Sequence, residues 1–116
     1  MPSLALPIII MGISIQPIPL KLNDANLQRL IREAAADTAR VFFCKHAKQR
    51  MKQRRITPTQ IYDCLRRGAV SEPAHMNLHG SWQCTLVWRH AGDDVSVAAA
   101  LERDDEGDWI VVVTVF

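Results

Sequence analysis

The segment "WIVVVTVF", residues 109 to 116, decides the fold. Its near-continuous apolar run reads as a strand covered on both faces, and so as one internal to a sheet rather than at its edge. Strict alternation would place Thr114, its only polar residue, on the face of Ile110, Val112 and Phe116. Working upstream across the turn "RDDEGD", Val95, Val97, Ala99 and Leu101 alternate with other residues. Beyond the turn "HAGDD", Trp82, Cys84, Leu86 and Trp88 alternate with Gln83, Thr85 and Arg89. These two runs predict an antiparallel hairpin.

The period changes further upstream. Leu27, Leu30, Ile31, Ala34 and Ala35 recur at helical spacing, which predicts an amphipathic helix from Asn23 or Asp24, as cap, to about Thr38. "RVFFC" is too short to settle as strand or helix lead-in. Residues 45 to 54 form a second helix. A third has explicit ends: Thr57 caps, Pro58 takes the first turn, Gln60 completes a capping box and Gly68 stops it. "SEPAHMNLHGS", broken by Pro73 and Gly80, reads as a loop. Helices followed by strands give an α+β domain, with the helices on one side of a mostly antiparallel sheet.

At 116 residues the chain supports one core, assigned to residues 23 to 116, with residues 1 to 22 as an N-terminal arm or strand. "LALPIIIMGISI" lacks a basic leader, contains Pro7 and is shorter than a membrane span, so no membrane partner is expected. Cys44, Cys64 and Cys84 are odd in number and have no CxxC spacing, which fits a reducing cytoplasm. The net charge of +2 hides a strong asymmetry. Residues 40 to 67 hold nine Lys or Arg and one acid, and the remainder five basic and eleven acidic residues. Such a concentration attracts polyanions.

The basic stretch centres on one histidine. Each helical residue advances about 100°, so His46, Arg50 and Arg54 fall along one stripe, with Ala47 and Met51 on the neighbouring stripe as anchors. Guanidinium binds phosphate bidentately, and imidazole moves protons near neutral pH. The set suits a phosphodiester. Competing readings are a capping or packing histidine and solvent-facing arginines.

"HAKQRMKQRRITPTQIYDCLRRGAVSEP", followed by "GSWQCTL" and ending in "VVVTVF", resembles the bacterial domain-of-unknown-function family DUF4258 over residues 41 to 116. The shared features are an HAxxRMxxR helix, an IT-initiated helix ending in Gly, and a last strand ending in Thr-Val and a hydrophobic residue. That family is similar to RelE-like and barnase-like ribonuclease toxins. The resemblance implies a RelE-like α+β fold with a curved sheet, and RNA cleavage without metal or other cofactor. It also implies an antitoxin or immunity protein as partner. By position it marks His46, Arg50, Arg54 and Thr114 as the catalytic set. Lys45, Lys48, Lys52 and Arg55 extend the RNA-binding face, as does Trp82, which adjoins a loop and could stack a base. A noncatalytic binding module using the same face is the alternative.

His75 and His79 form an HxxxH pair, but Pro73 and Gly80 bracket them and no third ligand accompanies them, so no metal site is assigned. Cys44 lacks a catalytic partner and reads as a small buried residue.

Overall fold

The computed structural model describes residues 23–90 and 92–116, so the N-terminal arm expected at residues 1–22 lies outside the described residues. The first helix, α1, spans Asp24–Ala35. Asn23 caps it, its Oδ1 accepting the Asn26 N–H at 2.8 Å. Asp24 has a different task, since its Oδ1 accepts the Ala74 backbone N–H at 2.7 Å and fastens the helix start to a distant strand. The helix stops at Ala35, short of Thr38, where a 3₁₀ turn over Thr38–Arg40 begins, capped by Asp37.

"RVFFC" resolves as strand β1, Val41–Phe43. Then come α2 (Lys45–Arg54), α3 (Pro58–Arg67), β2 (Ala69–Met76), β3 (Trp82–His90), β4 (Asp93–Asp104) and β5 (Gly107–Val115). The strands form one open sheet in the order β1-β5-β4-β3-β2. Only β1 and β5 run parallel; the other three pairs are antiparallel. The domain is therefore α+β, and β5 is internal, as its apolar run requires.

The loop expected over "SEPAHMNLHGS" is corrected, because Ala69 to Met76 form β2. The strand lies at the sheet edge and most of its residues are exposed, so its sequence shows no alternation. Pro73 is tolerated because an edge strand has one side without ladder bonds. The register against β3 slips on either side of Glu72.

Helices cover one sheet face. Leu27 and Ile31 of α1, Ala47 and Met51 of α2, and Ile61 and Leu65 of α3 pack on Leu86, Val97, Ile110 and Val112. The other face carries Ala98, Ala100 and Val111, and no described helix lies over it. A β-bulge makes Thr114 part of this second face. Ala99 pairs with Val112 but Ala98 pairs with Thr114, so Val113 is an extra residue. Val115, not Thr114, continues the buried row of Ile110 and Val112. Thr114 shares the outer face with Ala98, which corrects the alternation expected from sequence.

The predicted ends of α3 hold, with one difference in cause. Thr57 and Gln60 form the capping box and Pro58 opens the first turn. Gly68, however, is extended, with φ −70° and ψ 162°. It is required by proximity: a Cβ there would lie 2.5 Å from the Cys64 carbonyl oxygen and 2.8 Å from that of Val87. The helix ends where its backbone meets β3.

Candidate nucleic-acid interface

Helix α2 is held beside the end of β5 by bonds to backbone carbonyls. Beyond Phe43 and Val112 no strand of β1 remains to pair with β5. The Cys44 N–H donates to Val112 O at 3.3 Å, and the Cys44 thiol to Val113 O at 3.1 Å. Nearly two turns later Arg50 Nε donates to Val115 O at 3.2 Å. Cys44 is also the N-cap, its Sγ accepting the Ala47 N–H at 3.4 Å. The helix start thus serves as the missing neighbour of β5, with Ala47 and Met51 buried beneath it.

The far end is equally well defined. Arg55 adopts the left-handed conformation, φ 58° and ψ 43°, unusual for a residue with a Cβ. Its N–H bonds to Lys52 O and the Ile56 N–H to Met51 O, satisfying the last carbonyls of the helix in a Schellman motif. Ile56 then packs against the core. Arg54 and Arg55 consequently sit on a rigid turn that leads directly into the cap of α3.

His46 is exposed and makes no hydrogen bond or ion pair among the described residues. The cap is Cys44, so neither capping nor packing accounts for the histidine. Arg50 is half-buried, and its bond to Val115 O uses only Nε. Arg54 is exposed and lines a cleft of about 340 Å³ with Arg55, Gln60, Asp93, Asp94 and Phe116. On the helix axis His46, Arg50 and Arg54 are separated by roughly 6 Å per step. Lys45, Lys48, Lys52 and Arg55 are all exposed.

None of these cations is neutralised by an acid. The ion pairs among the described residues belong to Arg29, Arg40, Arg89 and Arg103. In the cleft beside Arg54, Asp94 is gripped by Arg89 at 2.7 and 3.2 Å, and this bond holds its carboxyl below the ordinary range. Its charge is offset by that partner.

Other sequence-derived candidates are placed differently. Trp82 is 7% exposed and belongs to the core, so it offers no face to a base. Thr114 is half-buried on the outer face, next in sequence to the carbonyl that Arg50 holds, and no hydrogen bond joins it to His46 or Arg50. His75 and His79 are exposed, and no three His, Cys, Asp or Glu side chains among the described residues converge as a metal-ligand set. Cys64 and Cys84 are fully buried, and burial pushes their thiols up to about 12 and about 11. No described helix is long and apolar enough to cross a membrane.

Sequence reasoning missed the part played by Cys44. Its signal was its place immediately before the helix, where residues with acceptor side chains collect. The carbonyls of Val113 and Val115 had no signal at all, since any residue supplies a carbonyl.

No curated protein matches this chain, and no solved structure does. Residues 43–116 match the family model described as "Domain of unknown function (DUF4258)". That span runs from the end of β1 through α2 to the last strand, and covers more than half of the sequence; the chain belongs to the DUF4258 family.

Proposed function

We propose that this domain binds RNA through α2 and cleaves it at His46 without a metal, as a cytoplasmic RelE-like ribonuclease of toxin type whose own cell supplies an antitoxin or immunity protein. The observation that carries the RNA reading is the absence of acids: from Cys44 to Ile56 there are six Lys or Arg, no Asp or Glu, and no ion pair among the described residues. Partnered cations would form a solvated structural face. Unpartnered ones collected on a rigid helix attract a polyanion, with affinity gained by releasing counterions.

The chemistry fits the stripe. Arg50 keeps its two terminal nitrogens for a phosphate while Nε is fixed to the strand, and Arg54 stands one turn away. In the proposed step the RNA 2′-oxygen bonds to the adjacent phosphorus and its proton passes to the His46 imidazole. The bond from phosphorus to the 5′-oxygen breaks, and that oxygen takes a proton from water. The products are a 2′,3′-cyclic phosphate and a 5′-hydroxyl. The arginines hold the extra negative charge of the transition state. The alternative, a noncatalytic module, uses the same face without the step.

Titration of a fluorescein-labelled single-stranded RNA at several salt concentrations tests the binding. Log affinity should fall against log salt with a slope of about 0.7 per phosphate engaged, and Lys48→Glu with Lys52→Glu should flatten it. No binding at low salt would overturn the reading. On denaturing gels, His46→Ala should lower cleavage by about 10²- to 10⁴-fold at an unchanged melting temperature. Binding with no cleavage by the wild type would establish the noncatalytic module instead.

A further inference from the structure

A second cleft lies away from α2. It has a volume of about 510 Å³ and is lined by Ala39, Arg40, Phe42, Asp104, Glu106 and Trp109. Phe42 pairs with Val111 in register, so it and Trp109 stand on the sheet face that no described helix covers. Phe42 is 51% exposed, a large apolar surface to leave in water. Its ring meets that of Trp109 edge to face, with centroids 5.2 Å apart at 84°. The Trp109 indole N–H is cut off from solvent and has no hydrogen-bond partner among the described residues.

The rim gives the chemistry of what would bind. Arg40 donates to the Glu106 backbone carbonyl at 2.8 Å and lies 3.9 Å from the Asp104 carboxylate, so its charge is already answered. The carboxylate of Glu106, which lines the cleft, has no cationic partner among the described residues. Aromatic faces beside an uncompensated carboxylate favour a Lys or Arg side chain over a phosphate. Beside them β1 is the outermost of the described strands, with no described strand paired on its outer side.

We propose that this cleft docks an extended segment of a partner protein carrying a lysine or arginine. The cation lies over Phe42 beside the carboxylate of Glu106, while the partner's backbone runs along β1. The proposal stands whether or not α2 binds RNA, because it uses different residues and the opposite charge.

The test is a titration of ¹⁵N-labelled full-length protein with an acetylated, amidated peptide of alternating valine and arginine, followed by amide and indole N–H shifts. Saturable shifts should appear at residues 39–43, 104–106 and the Trp109 indole. Glu106→Gln and Phe42→Ala should each weaken the peptide about two- to fivefold; the first, at an exposed side chain, keeps the test clear of folding effects. The proposal is overturned by absence of these shifts at millimolar peptide. It is equally overturned if a valine–glutamate peptide or an RNA oligonucleotide shifts the same residues as strongly. The same holds if dilution alone moves them, which would indicate a second copy of the chain, or if removing residues 1–22 does, which would indicate the chain's own arm.

Discussion

Replacing Gly68 by alanine probes the seam between α3 and β3. The extended backbone at Gly68 suits any residue, so in open space Gly68→Ala would stabilise by about 0.4–1 kcal/mol through the unfolded chain. The space is not open. A Cβ would stand 2.5 Å and 2.8 Å from two backbone oxygens, Cys64 O and Val87 O. To restore ordinary contact the helix end and β3 must separate by about 0.6–0.9 Å, a large displacement in a close-packed interior. Gly68 is also held on both sides, its N–H bonding to Cys64 O at 2.8 Å and its carbonyl accepting from Gln28 Nε2 at 2.7 Å. Forced overpacking costs about 1–3 kcal/mol, and rigid backbone neighbours on two elements place this case at the upper end. Less the unfolded-state gain, the net loss is about 2 kcal/mol, which lowers the melting temperature by roughly 8–16 °C for a domain of this size. Urea and thermal unfolding followed by tryptophan fluorescence measure it. Gly80→Ala is the control: nothing lies within 4 Å, and only the positive φ of 82° is strained, for about 1 kcal/mol. A Gly68→Ala protein as stable as the wild type would refute the argument from proximity.

Stability should fall with rising alkalinity because of the buried thiols. In the unfolded chain they ionise near 9.0, whereas burial holds them protonated to about 12 at Cys64 and about 11 at Cys84. Above pH 9 the folded state therefore binds more protons than the unfolded one, and stability drops by about 1 kcal/mol per pH unit for each thiol. Urea midpoints from pH 8 to 10.5 should show this, and Cys64→Ala with Cys84→Ala should flatten the slope even though it lowers the plateau; equal slopes would sink the assignment. Arg50→Met should cost about 1–2 kcal/mol, because Val115 O loses a charged donor, whereas Arg54→Met, at an exposed side chain, should stay within about 0.5 kcal/mol. Thermal melts of the two variants decide, and equal values would show that the bond to Val115 does not fasten the helix.

What could be read from sequence depended on whether the physics was local. Helix α3 announced its start because a capping box is written within a few residues, whereas its end was placed correctly at Gly68 for a cause, the closeness of β3, that no local pattern carries. The hairpin of β3 and β4 and the internal place of β5 followed from alternation and apolar run length. β2 escaped because an exposed edge strand has no buried face to pattern, and Pro73 argued against it. The bulge at Val113 escaped because it depends on which residue of β4 opposes which of β5, and it reversed the side of Thr114. Trp82 looked available from its place beside a loop, yet tertiary packing buries it. For the basic helix, the charge was legible from composition alone; that its cations lack acidic partners, and that Cys44 rather than His46 caps it, required the fold.

The fastening of α2 also bears on which changes of the chain the fold tolerates. Cys44 and Arg50 grip carbonyls of Val112, Val113 and Val115, which are present whatever the side chains there. Exchange of one β-branched residue for another at these positions leaves the grip intact. Deleting the single residue Val113 takes away the carbonyl that the Cys44 thiol holds but keeps the faces, because Thr114 then follows Val112 directly, still opposite Ala98, and Val115 stays in the core opposite Val97. The end of β5 is therefore permissive to substitution and to loss of its bulged residue, whereas one residue added or removed after Thr114 would carry Val115 out of the core.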